Sequence, residues 1–283
     1  MEKKNKMETM HMQKLVINMS LPLIVSLLVQ SLYNIVDSIF VAKMSEEALT
    51  GTSLAFPVQM LMIAFSVGTS VGVNALLSKT LGARNRERAT KIANTSIMLA
   101  LINGAVFSLT GIFFAQKLAR SFTTVESTAA LCAGYFSICM IFCFGNFIET
   151  MLQRFLQAAG NTVLSMCSLI AGAVTNIMLD PILIFGLLGF PALGIRGAAI
   201  ATVIGQWLGA AVALLLNRFC NREVIVDFRR FCPEKEIIFG IYKVGLPNII
   251  TQAISSVMVT LVNQILMPLS MSAVAFFGVY YKL

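Results

Sequence analysis

Seven stretches of this chain, at roughly 15–41, 49–78, 92–115, 129–151, 163–188, 198–216 and 240–266, are almost free of charge. Each is long enough to cross ~30 Å of hydrocarbon as a helix. Lipid offers the backbone no water to bond, so a segment buried there must close its hydrogen bonds internally. That restricts the chain to an all-α polytopic membrane protein. Composition agrees: Asp, Glu, Lys and Arg supply 12% of the 283 residues, against ~25% in a soluble domain, and the mean hydropathy is +0.83. Disorder, collagen and a small secreted disulfide scaffold are excluded on the same grounds.

An eighth apolar run begins at Ala273 and has only 11 residues to Leu283, ~16 Å of helix and too short to span the bilayer. The expectation is therefore a piece of a longer protein. Orientation follows from the basic residues, sixteen of which fall on one side of the seven crossings and four on the other. The richer side includes Lys3, Lys4, Lys6 and Lys14, the 79–91 cluster, and Arg218, Arg222, Arg229 and Arg230. The positive-inside rule places the N-terminus and those loops in the cytoplasm, which argues against a seven-helix receptor. The N-terminal lysines resemble a signal-peptide n-region, but the run at 15–41 is too long for an h-region and reads as a retained first helix.

The net charge of +8 sits in short connections, with no basic helix and no interleaved aromatic platform, so nucleic-acid binding is not expected. The basic stretch Lys79–Lys91 has no Gly-rich phosphate loop, and no Walker pattern occurs elsewhere, which argues against ATP use. Six cysteines form no C-x-x-C pair and have no neighbouring His, so no zinc or redox site is indicated. Neither a cofactor nor an enzymatic centre is expected.

Leu21-Pro22 recurs as Leu246-Pro247, and the same offset of 225 carries Ala48 onto Ala273. A repeat whose copies both start inside is a parallel six-plus-six design. It predicts an N-terminal six-helix lobe over 1–217, a cytoplasmic linker over 218–236 and the incomplete start of a second lobe over 237–283. The whole would have twelve helices and roughly 450 residues.

Only Asp37, Glu149 and Asp180 among the acids lie inside the crossings, where an ionised group costs at least ~2.5 kcal/mol. Asp37 is four residues before Val41, Asp180 five before Phe185 and Thr202 four after Ala198, so all three sit ~6–8 Å inside the outer boundary. Helical spacing adds Gln30 and Asn34 to the face of Asp37, Asn176 to that of Asp180, and Gln206 to that of Thr202. Pro181 should kink the fifth segment and free the carbonyl of Ile177. Carboxylate, amide and hydroxyl oxygens suit a hard cation such as Na⁺, and the carboxylates could alternatively exchange a proton. Glu149 reads as an interfacial ion pair with Arg154 near the cytoplasmic end. The 16 Met and 20 Phe suit a cavity for apolar or aromatic cations.

Several stretches resemble the multidrug and toxic compound extrusion (MATE) family: Tyr33-Asn34-Ile35-Val36-Asp37-Ser38, Ala48-Leu49-Thr50-Gly51-Thr52-Ser53, Leu81-Gly82-Ala83, Phe155-Leu156-Gln157-Ala158-Ala159-Gly160-Asn161, Asn176-Ile177-Met178-Leu179-Asp180-Pro181 and Gly194-Ile195-Arg196-Gly197 through Thr202. The resemblance implies a twelve-helix, probably monomeric antiporter of the cell membrane, exchanging inward Na⁺ or H⁺ for an outgoing organic cation or drug. It implies a coupling role for Asp37 and a cation site at Asn176, Asp180 and Thr202 beside it. Alternatives are a flippase for lipid-linked saccharides or other lipids on the same two-lobe plan, and a non-functional fragment.

Overall fold

The computed structural model describes residues 10–221, 223, 224, 226 and 233–282. The positions Lys3, Lys4, Lys6, Arg222, Arg229, Arg230 and Cys232 lie outside the described residues. The described chain is built of α1 (Met12–Ala42), α2 (Glu46–Gly82), α3 (Arg86–Phe122), α4 (Glu126–Ile141), α5 (Phe144–Ala158), α6 (Thr162–Phe185), α7 (Ile195–Cys220), α8 (Lys235–Leu266) and α9 (Met271–Lys282). No strand occurs among the described residues.

Six of these helices are long and apolar enough to cross a membrane, and α4 with α5 makes a seventh crossing if the bent pair is one span. The chain is a multi-pass, all-α membrane protein. The expected fourth crossing, 129–151, is thus two helices set at 48° rather than one continuous rod. At the break the carbonyl of Ile141 accepts a hydrogen bond from Ser108 Oγ at 3.0 Å, and Cys143 Sγ lies 3.4 Å from the carbonyl of Gly104. The Ser108 hydroxyl of α3 therefore bonds a carbonyl that the bend exposes, as a break at membrane depth requires, and the Cys143 thiol donates back to α3. Helix α6 continues through Pro181 to Phe185. Gly186 then ends the helix in the left-handed conformation, φ +74°, which glycine adopts without a Cβ penalty.

Helix ends follow local chemistry. Ser45 Oγ caps α2 by accepting from Ala48 N at 3.0 Å, with Glu46 and Glu47 in the first turn and Lys79 in the last, each matching the helix dipole. Asn85 Oδ1 caps α3 by accepting from Arg88 N at 3.0 Å.

The central element is α2, which packs against α3, α4, α5, α8 and α9. Its crossing with α8 is made by glycines: a Cβ on Gly72 would lie 2.1 Å from the carbonyl oxygen of Ile241, and one on Gly245 would lie 2.6 Å from that of Gly68. In lipid, helices associate through close packing rather than hydrophobic exclusion, and small residues permit it. The same face carries Ser256 Oγ to the carbonyl of Pro57 at 2.5 Å. At α9, Gly278 packs directly on Ser53. These two residues are separated by 225 positions, the offset of the sequence repeat, so repeat-equivalent residues meet each other. Buried Cys132, Cys139 and Cys143 are unpaired thiols within this interior.

Candidate functional site

Three helices bring the intramembrane acids together. Helix α6 crosses α7 at two glycines: a Cβ on Gly172 would stand 2.9 Å from the carbonyl oxygen of Gly205, and one on Gly205 2.8 Å from that of Gly172. That backbone-to-backbone approach lets the next polar residue along α6 span the gap. Asn176 Nδ2 reaches Thr202 Oγ1 on α7 at 3.4 Å and Asp180 Oδ1 one turn up its own helix at 3.4 Å. Thr202 in turn donates to the carbonyl of Ala198 at 3.0 Å. Helix α1 packs against α6 and places Asp37 within electrostatic reach of Asp180.

Asp37, Asn176 and Asp180 are buried, and Thr202 is half-buried. The depth arithmetic on three separate segments thus named residues that do converge. Two oxygens in this cluster are buried without a hydrogen-bond partner, Asp180 Oδ2 and Asn176 Oδ1. A buried acceptor left unpaired costs ~1–3 kcal/mol, and a cation or an added proton is what would satisfy it. The donor set, two carboxylates with an amide and a hydroxyl oxygen, fits a hard monovalent cation. No group of three or more His, Cys, Asp or Glu occurs among the described residues, so a softer transition-metal site has no ligands there.

The supporting stripe is less uniform. Gln30 lies beside the Tyr33 hydroxyl, and Asn34 contributes its carbonyl, which accepts from Ser38 Oγ at 2.8 Å. Gln206 is half-buried one turn beyond Thr202. Two aromatic residues escaped the sequence reading. Tyr135 of α4, buried, lies within electrostatic reach of both Asp37 and Asp180, and its hydroxyl accepts from Gln59 Nε2 of α2 at 3.5 Å. Tyr33 lies within reach of Asp37 and Glu149. Tyr33 was available from spacing, being four residues before Asp37; Tyr135 carried no periodic signal.

The expected Glu149–Arg154 ion pair is not formed. Five residues of helix turn the second side chain ~140° from the first, and the two face different neighbours. Arg154 donates to Ser70 Oγ at 3.3 Å and to Gln157 Oε1 at 2.7 Å, while Glu149 Oε1 accepts from Gln153 Nε2 at 3.1 Å.

The MatE family pattern matches residues 22–182, more than half of the chain and all of the cluster except Thr202. The chain belongs to the MatE family. Among curated MatE-like relatives, the probable multidrug resistance protein YoeA of Bacillus subtilis is 32% identical over 184 residues, 65% of this chain and 40% of that protein. A protein named as an FAD transporter from Shewanella oneidensis is 29% identical over 198 residues, 69% of this chain and 43% of that one. The matched stretch spans about two fifths of the length of each of these relatives. A solved structure described as the inward-facing conformation of a multidrug resistance MATE family transporter of the MOP superfamily superposes with a TM-score of 0.83 at 28% identity, covering 95% of this chain and 60% of that one. These relatives are described as a multidrug resistance protein and transporters.

Proposed function

We propose that this chain supplies the cation-binding lobe of an antiporter that exchanges inward Na⁺ or H⁺ for outgoing organic cations. The observation that carries the reading is the α1–α6–α7 cluster, in which Asp37 and Asp180 sit buried within electrostatic reach of each other and Asn176 bridges Asp180 to Thr202. Two like charges buried together repel, so binding one cation or proton there relieves a cost of several kcal/mol. Cargo that is itself cationic competes for the same negative charge, and that competition is the coupling. The proposed site is Asp37, Asn176, Asp180 and Thr202, with Gln30, Asn34 and Gln206 as the polar lining beside it.

In this reading residues 1–217 form one lobe, 218–236 a cytoplasmic linker and 237–283 the beginning of a second lobe, with rocking between lobes giving alternating access. The contact of Ser53 with Gly278, 225 positions apart, supports that two-lobe symmetry. The protein then works as a monomer in the cell membrane with its N-terminus in the cytoplasm, driven by an ion gradient without ATP or a cofactor.

The test is drug efflux from cells and reconstituted vesicles carrying Asp37→Asn or Asp180→Asn in the full chain. Both variants are expected to lose ion-driven export, and export at the unmutated level in both overturns the reading. Similarity to the protein named as an FAD transporter favours a second reading in which the cargo is a flavin nucleotide. Counterflow of fluorescent FAD against an organic cation dye in the same vesicles separates the two.

A further inference from the structure

Among the described residues, Glu149 is the intramembrane acid that the cluster does not use. It projects from α5 into a notch at the α6–α7 crossing: its Oε1 lies 3.6 Å from where a Cβ on Gly172 would stand and 2.3 Å from where one on Gly209 would stand. Gly209 is therefore what gives the carboxyl its room, and Gly172 borders it at ordinary contact distance. Gln153 Nε2 is its hydrogen-bond donor at 3.1 Å, and among the described residues no lysine or arginine pairs with it.

The surrounding helices supply no compensating charge. On its own helix Arg154 is turned to Ser70 and Gln157. On α7, Arg196 and Arg218 stand in the first and last turns. On α2 Lys79 is in the last turn, and on α3 Arg86, Arg88 and Lys91 are in the first two. On α6, Asp180 lies at Asp37 and Cys167 is exposed. The titratable neighbour within reach is Tyr33 of α1, which is also within reach of Asp37. An isolated carboxyl inside a membrane helix bundle is retained at a cost of ~2.5 kcal/mol or more if charged, and such groups mark ion or proton pathways.

We propose that Glu149 is a second proton-exchanging site of this lobe, separate from the Asp37–Asp180 cluster and electrostatically linked to it across Tyr33. One O–H bond forms on the Glu149 carboxylate as a proton arrives from water and breaks as it leaves. Charge on Glu149 favours a cation at Asp37 and Asp180, and protonating Glu149 weakens that site. The ligand class is a proton, and the consequence is that cation affinity at the cluster becomes pH-dependent through a residue that does not touch the cation.

The existence of the site rests on the geometry alone; its effect on cation affinity rests also on the proposed function, and the two readouts separate them. The first is pH-difference infrared spectroscopy of the full chain in lipid nanodiscs, in the carboxylic-acid C=O stretching region. A titrating band is expected that is absent in Glu149→Gln, shifted in Glu149→Asp, and present in Asp37→Asn and Asp180→Asn. A Glu149→Gln spectrum that superimposes on that of the unmodified protein overturns the proposal, as does a band lost in Asp37→Asn and unmoved in Glu149→Asp. Should Glu149→Gln fail to fold, the band position in Glu149→Asp decides alone. The second readout is Na⁺ affinity, expected to fall about fivefold or more in Glu149→Gln and to vary less steeply with pH than in the unmodified protein, the proton competition at Asp37 and Asp180 remaining. An unchanged Na⁺ affinity removes the link to the cluster, and absence of Na⁺ binding in the unmodified protein refutes the Na⁺ reading while leaving the infrared result standing.

Discussion

Substituting Gly72 by Ala places one methyl group where α2 and α8 have no space for it. The new Cβ would lie 2.1 Å from the carbonyl oxygen of Ile241, 2.9 Å from its carbonyl carbon and 3.2 Å from the amide nitrogen of Gly245. The obstructing atom is main chain in the middle of a helix, so it cannot swing aside as a side chain would. Reaching an ordinary contact requires the axes to part by about 1 Å, and a gap of that size forfeits a quarter to a half of each dispersion contact lining it. Overpacking of this kind costs about 1–3 kcal/mol, while replacing glycine by alanine in a helix returns up to about 1 kcal/mol. Gly82 provides the control: it ends the same helix, and nothing lies within 4 Å of its Cβ position, so Gly82→Ala feels propensity without the clash. The measurable quantity is the difference between the two variants, about 1–3 kcal/mol in favour of Gly82→Ala, or roughly 2–12 °C in melting midpoint. Fluorescence of the single Trp, Trp207, follows unfolding in detergent from a position on α7 against Gly145 of α5, away from both substitutions. Equal midpoints for Gly72→Ala and Gly82→Ala would refute the argument that backbone contact holds this crossing.

Asn217 Nδ2 donates to the carbonyls of Leu152 at 2.9 Å and Ala213 at 2.8 Å, tying α7 to α5. Asn217→Leu removes the donor to the Leu152 carbonyl and leaves the Asn221 amide with only its longer bond to the carbonyl of Phe155, and a loss of about 1–3 kcal/mol is expected in the same melting assay. If Na⁺ binds at the proposed site, Na⁺ at a hundred times its Kd stabilises the folded chain by about 2.7 kcal/mol. A rise in melting midpoint with Na⁺ over choline is then expected for the unmodified protein and absent in Asn176→Leu, which removes the bridge between Asp180 and Thr202; an equal Na⁺ response in both would exclude Asn176 from the site.

What the sequence disclosed was whatever the bilayer or the helical repeat imposes directly. Hydrocarbon thickness sets the length of a crossing, so the ranges of α1, α2, α3, α6, α7 and α8 were legible from apolar runs, although α2 and α3 extend beyond theirs because their charged ends continue the helix past the lipid. Rise per residue converts sequence position to depth, and so Asp37, Asp180 and Thr202 could be matched across three segments. The bend between α4 and α5 had no such signature. Ile141-Phe142-Cys143-Phe144 is as apolar as its surroundings and contains no proline or glycine; the break is bonded by Ser108 and fitted around Gly104, both on α3. Tyr135 was hidden for the same reason, since its place depends on how α4 is set by α2, α3 and α7, against which it packs. The separation of Glu149 from Arg154 is itself legible in the sequence, since five helical residues turn the two side chains ~140° apart.

The two glycine-lined crossings serve different ends, and the difference bears on how a charge change in this lobe would travel. At α6–α7 the close approach is locked by Asn176 reaching Thr202, so those helices move as one unit with the acids they carry. At α2–α8 the glycines bring backbone against backbone with no charged pair among the described residues between the two helices; Ser256 to the carbonyl of Pro57 ties the same face, while Thr50 to Met271 and the Lys91–Glu234 pair lie outside it. A smooth face with few interlocking side chains tolerates rotation better than a knobbed one. Helix α1 joins the two regions, since it carries Asp37, packs on α6 and touches α9. In the proposed antiporter, neutralising Asp37 therefore acts on the element that lies between the acid cluster and the second repeat. No wire of residues through the α2–α8 interface is needed; the physical requirement is that α1 have two positions relative to α9, which the charge at Asp37 biases.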